Sequence, residues 1–259
     1  MQSKLGKIFL YGHRGARKYA PENTLPSFQK AVEQGADGFE LDTMLTADGV
    51  PVVIHDRALG RTTDGTGFVD QMKYKDLKRL DAGSWFSESF RNTKIPLLET
   101  VLDEFGGQTE INIELKNLHD PFDDLPVIVC DMVEKAAIVS KVIFSSFVPF
   151  NLLRIRKMIP DARIALLVAP DWLGKALASR ILSFISPDLI HPHSLLCTNR
   201  FVSNQHTFDR KINAWTVNKT ETCIELIERG VDGIITDDPA RINNAITMFE
   251  IKRSNMYYD

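Results

Sequence analysis

With 259 residues and 44% apolar content, the chain can bury a sizeable core, as one large α/β domain or two small ones. Its formal charge of −3 and pI near 6.1 leave no basic footprint for a polyanion, so nucleic acid is not an expected partner and any phosphate recognition must be local. Three cysteines, Cys130, Cys197 and Cys223, are odd in number and lack CxxC spacing, which fits reduced core thiols better than a disulfide frame or a zinc site. The start of the chain lacks the long apolar region of a secretory signal, and the most apolar stretch, 164–190, is broken by Asp171, Lys175 and Arg180. The expectations are a cytoplasmic protein with no transmembrane segment.

In chain order, strand-like apolar runs alternate with helix-like patterns. Residues 8–11 read as a strand and 24–33 as the clearest helix, in which Thr24 can cap, Pro26 suits the first turn, and Leu25, Phe28 and Val32 share a face before Gly35 ends it. Strand 38–42 follows and pairs locally with 52–54. Further strands are predicted at 111–114, 142–144, 164–167, 189–190, 212–217 and 233–236. Helices are predicted between and after them at 97–105, 122–136, 149–158, 172–184, 200–208, 220–228 and 240–249. With 52–54 counted as an excursion, eight strands each followed by a helix predict a closed (β/α)8 TIM barrel, whose usual length of about 250 residues fits one catalytic domain over 1–259. An open doubly wound sheet is the alternative.

One connection, 57–96, is about forty residues long, against the usual two to six of a βα turn. It predicts a small inserted subdomain after the second barrel strand, with a short helix at 74–80. Its aromatic cluster, Trp85, Phe86 and Phe90, suggests a lid over the barrel mouth.

The chemistry concentrates at predicted strand ends. Glu40 and Asp42 are two apart on a strand, so both carboxylates face the same side while Phe39, Leu41 and Thr43 face the other. Inside a barrel these carboxylates would point into the pore at its C-terminal end, where like charges repel unless a cation joins them. Glu114, with Lys116 two residues on, repeats the arrangement at another strand end, and three carboxylates suit a hard, oxygen-seeking ion. His13, followed by Arg14 and Gly15, and His55, followed by Asp56, place two imidazoles and a guanidinium at the rim if the two strands point the same way. Two histidines can serve as acid and base. His191 and His193 read as structural, and His119 and His206 as loop or surface residues. Trp215 could wall off a substrate's carbon skeleton, although a core role is nearly as good a reading, and Asp237 and Asp238 suit a cap for the last helix. The absence of a Gly-x-Ser-x-Gly elbow, a Walker loop or a dinucleotide motif disfavours a serine hydrolase, a kinase or an NAD enzyme.

These residues resemble the glycerophosphodiester phosphodiesterase family. The match runs through His13-Arg14-Gly15, Pro21-Glu22-Asn23-Thr24, Glu40-Leu41-Asp42, the stretch from Thr46 to Asp56, Glu114-Leu115-Lys116 and Trp215-Thr216-Val217-Asn218, in the family's order over nearly the whole chain. The resemblance implies a (β/α)8 barrel with a subdomain inserted after His55. It also implies hydrolysis of glycerophosphodiesters, a small-molecule substrate, to sn-glycerol 3-phosphate and an alcohol. A divalent cation, Mg²⁺ or Ca²⁺, would sit on Glu40, Asp42 and Glu114, with His13 and His55 as the catalytic pair and Arg14 and Lys116 facing the phosphate. Within phosphodiesterases the rival is a lysophospholipase D-like or phospholipase C-like enzyme acting on lipids. Outside them it is a non-catalytic barrel that only binds phosphorylated small molecules.

Overall fold

A computed structural model describes residues 6–171 and 185–255. Among the described residues, nine strands form one sheet: β1 (Phe9–His13), β2 (Gly38–Leu45), β3 (Pro51–Val53), β4 (Glu110–Leu115), β5 (Val142–Ser146), β6 (Arg163–Val168), β7 (Leu189–Pro192), β8 (Lys211–Ala214) and β9 (Gly233–Thr236). The strand order closes on itself, because β1 pairs in parallel with both β2 and β9, and eight parallel strands make a complete ring. β3 stands outside that ring, antiparallel on the end of β2. The closed parallel barrel is therefore the observed architecture rather than the open sheet, and closure leaves no strand edge unpaired within the ring.

Helices return the chain between strands at Leu25–Glu33, Leu98–Phe105, Leu125–Lys135, Pro149–Met158, Asn199–His206 and Thr220–Arg229, and Pro239–Asn255 follows the last strand. The predicted helix at 172–184 lies outside the described residues. The first helix differs from expectation at its start: the Thr24 hydroxyl donates to Pro21 O at 2.6 Å and does not cap the helix. The strand 212–217 is also shorter than its apolar run suggests, ending at Ala214, so that Trp215 begins the loop at the rim.

Side-chain alternation divides two apolar layers. Phe39, Leu41, Ile111, Ile113 and Phe144 point outward into the main core beneath the helices. There Phe28 stacks on Phe39 with ring centroids 4.3 Å apart, and Phe105 meets Phe39 edge-on at 5.3 Å. Truncating Phe28, which is fully buried, removes the piece that locks the first helix to β2. Phe28→Ala is expected to cost about 3–5 kcal/mol, read as a lowered urea midpoint; a loss below about 1 kcal/mol would contradict this packing. Inside the barrel, Tyr11, Ile143, Ala165, Leu189 and Ile235 form a small plug. Residues 57–96 carry three short 3₁₀ turns and the one-turn helix Tyr74–Leu77. Leu59, Val69, Leu77, Ala82 and Ile95 gather there with Met44, Val52 and Ile54 from the β2–β3 hairpin, in a core separate from the main one.

Candidate active site

The register of the ring sets the site. His13 at the end of β1 lies opposite Glu40 on β2, and Asp42, two residues along, lies opposite Glu114 on β4. Two neighbouring strands thus bring three carboxylates together inside the barrel mouth. A ligand oxygen from each of Glu40, Asp42 and Glu114 lies within 4.8 Å of the others, and all three residues are buried. β1 then turns sharply: Arg14 has φ 55° and Gly15 φ 83°, and a Cβ on Gly15 would lie only 2.4 Å from Ser27 Oγ. That turn aims the Arg14 backbone N–H at Glu40 Oε2, 2.9 Å away.

Like charges at this spacing in a buried site raise the energy of the ionised triad. Burial, with Asp42 and Glu114 alongside, lifts the Glu40 carboxyl well above its usual range. Glu114 is pushed up to about 7, by burial first. Asp42 goes the other way: burial opposes its charge, but Arg14, Lys116 and His55 together hold its carboxyl below the usual value. Lys116 is one local counterion, with Nζ 2.9 Å from Glu114 Oε1 and 3.7 Å from Asp42 Oδ1. Arg14 Nε lies 3.2 Å from Asp42 Oδ2 but without hydrogen-bond alignment. Asn23, at φ 58°, grips Asp42 from both ends of its amide: Nδ2 donates to Oδ2 at 2.8 Å, and Oδ1 accepts from the Asp42 backbone N–H at 3.2 Å.

The other carboxylate oxygen, Asp42 Oδ1, is buried and accepts no hydrogen bond. An acceptor left over between two further carboxylates fits a hard cation, since such ions take oxygen ligands and offset mutual repulsion. A pH effect follows for protein stripped of divalent ions. The folded state holds the Glu114 proton up to about pH 7, whereas the unfolded chain releases it near 4.5. The stability this group contributes is therefore complete below about pH 4.5 and lost as pH rises toward 7. Urea midpoints of EDTA-treated wild type should fall across that window relative to Glu114→Gln. A constant offset between the two proteins from pH 4.5 to 8 would contradict the shift.

The histidines flank the triad and are held alike. His13 Nδ1 lies 2.7 Å from Asp237 Oδ1, and His55 Nδ1 is hydrogen-bonded to Asp56 Oδ1. A carboxylate can only accept, so Nδ1 donates in each ring and leaves Nε2 as the acceptor in the neutral form. Lys116 Nζ, a donor only, lies 3.2 Å from His55 Nε2, consistent with that tautomer. Burial pushes both imidazoles below their usual value, and the carboxylate partners offset it in part. His55 reaches the rim by a route the sequence did not suggest. Its strand does not run with β1: β2 overshoots the rim, turns, and β3 comes back antiparallel, delivering Ile54 N–H onto Asp42 O at 3.0 Å and His55 beside Asp42.

Trp215 stands half-buried at the rim, its Nε1 donating to His191 O at 2.7 Å and its ring meeting Phe147 and His193 edge-on. His191 is fully buried between Asn112 and Asn213, as a structural histidine should be, and burial lowers its pKa to about 3. Two neighbours of these residues are not evident from the sequence. Asp238 caps the last helix, accepting from Arg241 N–H at 3.3 Å, but Asp237 instead faces His13 and is itself held by Asn218 Nδ2 at 2.7 Å. Ring closure was the available signal, since it must set the end of β9 beside β1. The second is Arg61 of the 57–96 segment, which reaches both Glu22 and Asp56. A cavity of about 590 Å³ opens beside His55 and Lys116, with Leu45, Ala47, Arg57 and Leu118 among its walls.

Comparison with known proteins gives the family. Residues 13–241 match the glycerophosphoryl diester phosphodiesterase family. A glycerophosphodiester phosphodiesterase of Caldanaerobacter subterraneus subsp. tengcongensis is 36% identical over 245 residues, covering 93% of this chain and 98% of its own. One from Bacillus altitudinis is 36% identical over 90% of this chain and 95% of its own. Among solved structures, a phosphodiesterase of Oleispira antarctica in complex with the product sn-glycerol-3-phosphate superposes with a TM-score of 0.82 at 29% identity, covering 92% of this chain and 96% of that one. The match spans every strand end that carries a site residue, and the chain belongs to the glycerophosphoryl diester phosphodiesterase family as one of its enzymes.

Proposed function

We propose that this enzyme hydrolyses glycerophosphodiesters to sn-glycerol 3-phosphate and an alcohol, with His13 and His55 as general acid and base and a divalent cation on Glu40, Asp42 and Glu114. The observation that carries the reading is the buried carboxylate triad, whose Asp42 Oδ1 accepts no hydrogen bond, flanked by two histidines that are each held at Nδ1 by a carboxylate. When bound there, Mg²⁺ or Ca²⁺ would act as a Lewis acid on the phosphate and neutralise the charge that develops on its oxygens. Arg14 and Lys116 are the cations nearest the triad and would orient the phosphate between the imidazoles. One imidazole takes a proton from the attacking hydroxyl and the other gives a proton to the departing alkoxide; if the attacker is water, glycerol phosphate forms directly, and if it is the substrate's own glycerol hydroxyl, a cyclic phosphate forms that water then opens with the two imidazoles exchanging roles. Asp237 and Asp56 keep each ring in the orientation that proton transfer needs. Trp215 would supply an apolar wall for the glycerol carbons. Three free, buried cysteines suit a reducing, cytoplasmic setting.

A second reading rests on the rim. Leu118 is 63% exposed beside the cavity at His55, and exposed Phe122 and Phe150 pack together at 5.4 Å. Such surface would suit a lipid substrate, with lysophospholipase D-like cleavage. Among the described residues no helix is long and apolar enough to cross a membrane. The test is ³¹P NMR of products from glycerophosphocholine and from lysophosphatidylcholine. Phosphate retained on glycerol from the first supports the main reading. Turnover of lysophosphatidylcholine alone favours the second, and phosphocholine as product contradicts both.

A further inference from the structure

We propose that Arg61 is a positioning residue through which the 57–96 segment orients both sides of the phosphate site: His55 by way of Asp56, and Arg14 by way of Glu22. The proposal rests on the phosphodiesterase reading above. Its basis is a continuous chain of contacts. Arg61 Nη1 and Nη2 donate to Glu22 Oε2 and Oε1 at 3.0 and 2.7 Å, a bidentate pair, while Nε donates to Asp56 Oδ2. Each of those carboxylates has a second partner that faces the phosphate site. Glu22 Oε1 accepts from Arg14 Nη1 at 2.8 Å, and Asp56 Oδ1 accepts from His55 Nδ1. One guanidinium thus fixes two carboxylates that come from different parts of the chain, one before the first helix and one after β3.

The geometry favours a role beyond anchoring a loop. The Glu22 side chain is 3% exposed, so its charge must be matched on the spot, and burial opposes that charge while Arg61 and Arg14 restore it. Asp56, drawn down to about 2 by Arg61 and His55 against burial, stays ionised throughout the neutral range. An acceptor that is always ionised and held at its far oxygen has one orientation to offer the imidazole. Without Arg61, the Asp56 carboxylate, 29% exposed, can rotate into solvent and release the ring. Lysine carries the charge but not the fork, and cannot grip both oxygens of Glu22 while reaching Asp56.

The test uses the full chain with glycerophosphocholine as substrate. Outer contacts of this kind typically cost 10- to 100-fold when removed, so Arg61→Ala should lower kcat by about that factor and also raise KM. Arg61→Lys should recover part of the KM effect and little of kcat. In an Asp56→Ala background, Arg61→Ala should leave kcat unchanged and still raise KM, because only the Glu22–Arg14 arm is left to lose. The same loss of kcat in both backgrounds, or an Arg61→Ala kcat within twofold of wild type, would overturn the proposal. A readout independent of turnover is the downfield Nδ1–H proton of His55, identified by its loss in His55→Ala. It should shift and exchange faster in folded Arg61→Ala, and an unmoved resonance would overturn the proposal even if wild type released no glycerol 3-phosphate, an outcome that would instead count against the assigned reaction.

Discussion

Replacing either His13 or His55 with Ala is expected to lower kcat on glycerophosphocholine by about 10²- to 10⁴-fold, the usual span for a positioned general acid or base. The fold should survive both changes. Neither residue is part of an apolar cluster, their side chains are 14% and 28% exposed, and each removal leaves a carboxylate that keeps other partners. Asp237 retains Asn218, and Asp56 retains Arg61. Near-native melting with collapsed turnover is thus the expected pattern. Because each ring is held by its own carboxylate, each single variant should lose most of the rate that the pair supplies. Near-normal kcat in both variants would remove the histidines from the chemistry.

Glu40→Gln carries the second large effect. Burial, with Asp42 and Glu114 alongside, works against a charge on Glu40, so a cation at the triad relieves that penalty. Neutralising it removes one ligand charge while keeping shape and the hydrogen bond from the Arg14 backbone, for which the amide oxygen is still an acceptor. The concentration of Mg²⁺ or Ca²⁺ giving half-maximal activity should rise at least about 10-fold, the lower end of what weakened metal sites lose. Stability in EDTA should not fall, and relief of repulsion should raise it at neutral pH. An unchanged metal titration would place the ion elsewhere.

Much of this site was legible in the sequence because barrels convert local pattern into position. The period-two spacing of Glu40 and Asp42 is enough to put both on one face, and Phe39 and Leu41 do lie under the helices as that alternation requires. Glu114 and Lys116 repeat the spacing on the neighbouring strand. Contacts set by closure were harder to see. His13 and Asp237 are 224 residues apart and meet because β9 returns to β1, so a motif window around either one shows only half of the pair. From the sequence His55 reaches the same rim only if its strand runs with β1, whereas an antiparallel hairpin delivers it there. Periodicity carries no sign of strand direction. Arg61 was invisible for another reason: it acts from a 3₁₀ turn in an irregular segment, and its partners Glu22 and Asp56 are fixed by tertiary packing rather than by spacing.

The most direct measurement is release of sn-glycerol 3-phosphate from glycerophosphocholine, glycerophosphoethanolamine and glycerophosphoinositol, first in EDTA and then with Mg²⁺, Ca²⁺ or Mn²⁺ restored singly. Release abolished by EDTA and recovered with one ion, at a rate that ranks the three head groups, is the predicted result. Release that persists undiminished in EDTA would contradict the cation on the carboxylate triad, and no release with any ion would contradict the reaction itself.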